Sequence, residues 1–132
     1  LTLLDTNVII YYLKGDPVIV ARIHHASRGE LAIPAIVVYE LEYGTLRSKL
    51  PVRRRRELEA GLEHMQRVPF DSAAAIAAAH IRVELEKLGS TIGPLEMLIA
   101  GTAASRGAAL VTSNAAEFSC VPGLRVLDWK SA

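Results

Sequence analysis

Short apolar runs alternate along the chain with longer stretches of helical spacing. Leu1-Thr2-Leu3-Leu4 is mainly apolar without a 3.6-residue period and ends in Asp5-Thr6-Asn7, residues that favour caps and turns, so it predicts a buried strand leading into a helix. That helix covers about Val8 to Leu13 and is stopped by Gly15-Asp16-Pro17; a second follows over Val18 to Ser27, before Gly29. Leu31-Ala32-Ile33-Pro34 predicts a second strand. From Ala35 to Arg47, Ile36, Val37, Leu41 and Tyr43 mix with Glu40 and Glu42, and the helical period is what keeps both acids off one apolar face. Pro51 opens a further helix through about Met65.

Val68-Pro69-Phe70 reads as a brief extended piece before Asp71 and Ser72, which are good capping residues. Asp71 to Leu88 follows as an alanine-rich helix whose small side chains favour close packing, with Gly89 ending it. Ser90 to Pro94 predicts a loop, Leu95 to Ser105 a helix closed by Gly107, and Ala108 to Val111 an apolar strand running into Thr112-Ser113-Asn114. A last strand, about Arg125 to Leu127, follows the Pro122-Gly123 turn. Strands separated by helices need crossover connections, which makes the sheet mainly parallel and covered on both faces. The expected fold is α/β, a three-layer α/β/α sandwich.

Composition narrows the class. A chain of 132 residues matches one domain of about 100–150, so residues 1–132 are expected to form a single domain. Hydrophobic residues are 51% and charged residues 22%, which excludes disorder as the main state. The longest apolar run, Ala73 to Ala79, is far short of the roughly 20 residues of a membrane span, and no basic-then-apolar leader opens the sequence. The single cysteine, Cys120, excludes an internal disulfide and leaves no cysteine pair for zinc. A soluble cytoplasmic protein, with no membrane partner, is the expectation.

The net charge of +1 says little, but its distribution says more. Arg47, Lys49, Arg53, Arg54, Arg55 and Arg56 place six of the fifteen cationic residues within ten positions, with no acid among them. Such a run is a solvated helix start or a surface for phosphates.

In open parallel sheets the ligand crevice lies at the carboxyl ends of the strands, so Asp5-Thr6-Asn7 and Thr112-Ser113-Asn114 are the first candidates for chemistry. Glu40 and Glu96 are carboxylates in apolar surroundings, where a charge needs a partner. Two carboxylates about 5 Å apart repel by roughly 3 kcal/mol at an effective dielectric of about 20. No lysine or arginine lies within three residues of Asp5, Glu40 or Glu96, so convergence of the three would call for a hard cation such as Mg²⁺ or Mn²⁺. Asn7 and Asn114 are then candidates to orient a ligand. No G-x-G-x-x-G follows the first strand, no phosphate-binding loop ends in Lys-Ser or Lys-Thr, and His24, His25, His64 and His80 have no metal-ligand spacing.

The chain resembles PIN-domain ribonucleases of the VapC toxin family over nearly its whole length. The resemblance is carried by Leu3-Leu4-Asp5-Thr6-Asn7, by Val38-Tyr39-Glu40-Leu41-Glu42-Tyr43-Gly44, by Ile92-Gly93-Pro94-Leu95-Glu96-Met97-Leu98-Ile99-Ala100, and by Val111-Thr112-Ser113-Asn114 with Glu117-Phe118, Val121-Pro122-Gly123-Leu124 and Asp128-Trp129. It implies a Mg²⁺- or Mn²⁺-dependent endoribonuclease, the toxin of a toxin–antitoxin pair, cutting tRNA in the anticodon stem-loop and so inhibiting translation. By motif position it implies Asp5, Glu40 and Glu96 as metal-binding acids, Asn114 as a further catalytic position, and Asn7, Thr112 and Glu117 as supporting ones. Glu96 stands where the family usually has aspartate, a departure expected to weaken cleavage. The resemblance also implies a VapB-like antitoxin, a homodimer joined near Glu40 and Tyr43, and RNA phosphates on the Arg47–Arg56 run. The alternative is a PIN-like module with a compromised site that binds RNA or protein without cutting. Phosphoryl transfer through Asp5 is weaker, because the second aspartate many phosphatases use is Asn7 here.

Overall fold

The computed structural model describes residues 1–130. Five strands and seven helices follow in the order β1 (Thr2–Leu4), α1 (Thr6–Leu13), α2 (Pro17–His25), β2 (Leu31–Pro34), α3 (Ala35–Arg47), α4 (Pro51–Leu62), β3 (Gln66–Val68), α5 (Ser72–Lys87), α6 (Pro94–Ser105), β4 (Ala109–Val111), α7 (Ala115–Phe118) and β5 (Val126–Leu127). The sheet has the order β3-β2-β1-β4-β5, and every neighbouring pair is parallel. Helices cover both faces, the three-layer α/β/α arrangement that the strand–helix alternation predicts.

The central strand β1 pairs with β2 on one side and β4 on the other, with Leu4 level with Val111. A parallel strand covered on both faces cannot alternate, and Leu3, Leu4, Ala32, Ile33, Leu110 and Val111 are all completely buried. Aspartates open three helices. Asp16 accepts from Val18 N–H and Ile19 N–H at 3.1 and 3.2 Å, and Asp71 from Ala74 N–H at 3.0 Å, the usual N-cap bonds. Asp5 differs, accepting from Thr6 N–H, the first residue of α1.

Helix α5 packs along α6, as its alanines suggest. A Cβ placed on Gly101 would lie 2.6 Å from the Ala78 Cβ and 2.8 Å from the Ala74 carbonyl, so the two backbones are as close as glycine allows. Among the described residues no helix is long and apolar enough to cross a membrane.

Some expected boundaries shift, each for a local reason. Helix α1 starts at Thr6 rather than Val8, because Asp5 caps it at once. The extended piece expected at Val68–Phe70 is the strand Gln66–Val68. It is an edge strand, so Gln66 and Arg67 face solvent, and Pro69 lacks the N–H to prolong the ladder. Helix α4 ends at Leu62, short of Met65, and the four-residue α7, anchored by the fully buried Phe118, has no counterpart in the expected elements.

Candidate active site

The strand order turns back between β1 and β4, and a crevice opens at the carboxyl ends of strands where such a reversal occurs. The polar residues after these two strands continue the sheet ladder. Asp5 N–H donates to the Val111 carbonyl at 2.9 Å, and Thr112 N–H to the Leu127 carbonyl at 3.0 Å. Both side chains therefore start from rigid backbone. Helix α3 follows β2 directly and brings Glu40, and the first turn of α6 brings Glu96.

One hydrogen-bonded chain links these segments. The Thr6 hydroxyl donates to Glu40 Oε1 at 2.8 Å, and Thr6 N–H donates to Asp5 Oδ1 at 2.8 Å. The Thr112 hydroxyl donates to Asp5 Oδ2 at 2.7 Å and accepts from Asn114 N–H at 2.9 Å. The Asn114 side-chain amide donates to Glu117 Oε2, and Glu117 Oε1 accepts from Gly93 N–H at 3.0 Å. Asp5, 7% exposed, thus has one hydrogen bond on each oxygen, and α7 serves to aim Glu117 across to the start of α6.

Glu96 lies apart from that chain. Its carboxylate folds back over Gly93, where an added Cβ would collide with Oε2. The side chain is half-buried and close enough to Glu40 for their charges to repel, yet its extra methylene is spent in curling toward its own helix start. Asn7 is not drawn in. It is exposed on the first turn of α1, and among the described residues its side chain has no hydrogen bond to the others named here.

Burial pushes the Asp5 carboxyl above its ordinary range; the bonds from Thr112 and Thr6 oppose the rise and the Glu117 charge adds to it. Burial also raises Glu40, against the Thr6 bond and together with the charges of Asp5 and Glu96. Among the described residues no lysine, arginine or histidine forms an ion pair with Asp5, Glu40, Glu96 or Glu117.

A carboxyl raised in the folded state contributes stability that is complete below its unfolded pKa and is lost as pH rises through the folded value. The metal-free protein is therefore expected to lose stability as Asp5 and Glu40 ionise above the ordinary carboxylate range. Asp16, lowered chiefly by Lys130, and Asp71, lowered chiefly by Ala74 N–H, act in the opposite sense as pH falls. The comparison is with Asp5→Asn: denaturation midpoints in EDTA across pH should fall less steeply in the variant, and parallel curves would contradict the linkage.

The donor set is all oxygen, which suits a hard cation such as Mg²⁺ or Mn²⁺. Among the described residues no three acidic, histidine or cysteine side chains are gathered tightly enough to enclose an ion by themselves. Mg²⁺ is commonly held by one or two carboxylates with the remainder of its shell water, so the open arrangement of Asp5, Glu40 and Glu96 fits that cation better than a closed cage would.

The basic run is partly neutralised by acids that follow it on α4 and by one on α3. Arg53 and Arg54 each reach Glu57 at 3.1 Å, and Arg55 pairs with Glu42 of α3 and, at 3.3 Å, with Glu59. Arg47 lies over the Tyr43 ring, 5.3 Å from its centroid. Among the described residues Lys49 and Arg56 have no ion-pair partner, and they flank the open start of α4. A groove of about 270 Å³ between α1, α3 and α4 is lined by Lys14, Arg54 and, of the site acids, Glu40.

Sequence reasoning included Thr6 only within the Asp5-Thr6-Asn7 segment and Gly93 only within a quoted motif, and gave neither a role of its own. Thr6 had a signal in standing between two flagged residues; its partner Glu40 is 34 positions away.

The PIN domain family model matches residues 2–124, the stretch that carries Asp5, Glu40, Glu96 and Glu117 to the edge of the parallel sheet, and this makes the chain a PIN-domain protein. Among relatives, the tRNA(fMet)-specific endonuclease VapC of Shigella flexneri is 37% identical, with 96% of each chain covered, and ribonuclease VapC2 of Haemophilus influenzae is 33% identical over the same shares. Among solved structures, DNA-bound VapBC of Salmonella typhimurium superposes with a TM-score of 0.91 at 36% identity, covering 97% of both chains. VapBC2 of Rickettsia felis, bound to a promoter DNA fragment, gives 0.91 at 30% identity, covering 97% of this chain and 98% of that one. The chain belongs to the VapC family of PIN-domain ribonucleases.

Proposed function

We propose that this chain is a Mg²⁺- or Mn²⁺-dependent endoribonuclease, the cytoplasmic toxin of a toxin–antitoxin pair, and that it cuts tRNA in the anticodon stem-loop. The observation that carries the reading is the meeting of Asp5, Glu40, Glu96 and Glu117 at one sheet edge without a cationic partner among the described residues. A bound divalent ion would supply charge stabilisation at the phosphate and a more acidic water. Asp5, Glu40 and Glu96 would offer it carboxylate oxygens, with water completing the shell. Thr112 orients Asp5 through its hydroxyl, while Glu117 and Asn114 brace each other beside the start of α6. The tRNA specificity in the name of the Shigella relative supports tRNA as substrate, and the relatives' naming as ribonucleases favours the enzyme over a binding module. Cleavage of labelled tRNA that requires Mn²⁺ and stops with EDTA tests the proposal; cleavage unchanged by EDTA overturns it.

The VapBC neighbours support a VapB-like antitoxin partner, from which an arginine placed among the acids would pair with Asp5, Glu40 and Glu96. A homodimer through α3 is supported by Tyr39, Tyr43 and Leu46, all more than half exposed, with the exposed Leu50 just beyond the helix.

The ion pairs reorder the basic run as an RNA surface. Among the described residues Lys49 and Arg56 have no ion-pair partner and are open to phosphates, whereas Arg53, Arg54 and Arg55 already answer acids and Arg47 is engaged by Tyr43. Replacing Lys49 and Arg56 by alanine is expected to reduce the slope of log affinity against log salt by about 0.7 per lost contact on single-stranded RNA. Arg55→Ala should leave the slope nearly unchanged and loosen α4 from α3. Equal slopes for all three variants would return the run to a solvated face.

A further inference from the structure

Thr6 hydrogen-bonds two of the site's carboxylates, and it does so with two different groups. Its N–H donates to Asp5 Oδ1 and its hydroxyl to Glu40 Oε1, both at 2.8 Å. The backbone contact follows from the chain path, since Thr6 is the first residue of α1 and Asp5 its cap. The hydroxyl contact does not: valine or alanine would open the helix equally well. A hydroxyl has one proton to give, and here it goes to a carboxylate 34 positions away, joining α1 to α3 at the edge of the crevice.

Glu40 needs such a tether. Its carboxylate stands at the end of a flexible side chain, half-buried, and is repelled by both Asp5 and Glu96. Left alone, it would lower its energy by turning out to solvent. Threonine is stiff at χ1 because it is β-branched, and its backbone is set by Asp5, whose own N–H is fixed on Val111. The tether therefore leads, through two short links, back to the central strand. Among the described residues, Glu40 Oε2 carries no hydrogen bond.

We infer that Thr6 is a positioning residue of the site: its hydroxyl holds Glu40 against the repulsion of the neighbouring acids so that a free carboxylate oxygen stays turned toward the divalent cation. The inference rests on the metal-dependent reading proposed above. Losing an outer partner of a metal ligand typically weakens metal affinity about 10–100-fold. Thr6→Val keeps shape and stiffness and removes the hydroxyl; Thr6→Ser keeps the hydroxyl.

The test is calorimetric titration of the full chain with Mn²⁺ for wild type, Thr6→Val and Thr6→Ser at matched unfolding midpoints, with a double-mutant cycle of Thr6→Val and Glu40→Ala in the metal-free protein. Thr6→Val should bind Mn²⁺ about tenfold more weakly, with Thr6→Ser restored to within about threefold of wild type. In the metal-free cycle, the shift in denaturation midpoint from Thr6→Val should be smaller once Glu40 is alanine. Unchanged Mn²⁺ affinity in Thr6→Val, failure of serine to restore it, or additive shifts in the cycle would overturn the role of Thr6 and leave the metal site standing. A wild-type chain that binds no Mn²⁺ would overturn the metal-site reading, and the positioning role with it.

Discussion

Asp5→Asn is expected to abolish RNA cleavage, lowering the single-turnover rate by well over about 100-fold, while the chain stays folded. The loss should exceed that for an outer partner because Asp5 is the carboxylate at the end of the central strand, with both oxygens oriented by Thr6 and Thr112. Asparagine keeps the shape and one acceptor for Thr6 N–H and removes the charge that serves the cation. The same charge is a burden on the metal-free fold, because burial and Glu117 both work against it. The variant should therefore be at least as stable as wild type in EDTA above the carboxylate range. Single-turnover cleavage with Mn²⁺ and denaturation in EDTA, on the same preparations, give both answers. Cleavage retained within tenfold, or a chain that fails to fold, would remove Asp5 from the catalytic role.

Glu96→Asp is expected to raise metal-dependent cleavage, by as much as about 100-fold, the cost that a displacement of about 1 Å can exact on a reacting geometry. The glutamate carboxylate is curled onto the Gly93 backbone at the start of α6, whereas a shorter aspartate would not reach back in that way. The gain should come with unchanged RNA affinity, since none of the ion pairs of the basic run involves Glu96. Single-turnover rates at saturating Mn²⁺ decide it. An equal or lower rate for Glu96→Asp would mean that the surrounding backbone is already fitted to glutamate.

The parts of the fold legible in the sequence are those whose signal is local. Leu3-Leu4 and Leu110-Val111 could be read as buried strands because a parallel core strand is apolar on both faces, and the polar triplets after them marked the crevice before any pairing was known. Edge strand β3 was misplaced because it has a single neighbour and little need for apolar residues; Val68 alone is buried. Helix α7 is too short for a periodic signal, although Glu117 on it had been flagged by motif position. The least legible features were pairings across sequence distance. Arg55 looked like one of four equivalent cations until α3 and α4 were laid side by side and Glu42 met it. Thr6 looked like a capping residue until Glu40 arrived from α3.

The order in which the site is stitched together bears on synthesis and breakage. Asp5 and Glu40 belong to the first third of the chain, while Glu96, Thr112, Asn114 and Glu117 belong to the last third, and the two groups are joined by the β1–β4 ladder and by Thr112 reaching back to Asp5. A ribosome making this protein has to deliver β4 before β1 has its second neighbour, so a product ending before Thr112 lacks the hydroxyl that orients Asp5. A cut near the exposed Gly89 would likewise leave two fragments, each with part of the acids and neither able to hold the site. Reassembly of the site from such fragments would have to restore both the β1–β4 ladder and the close α5–α6 packing at Gly101.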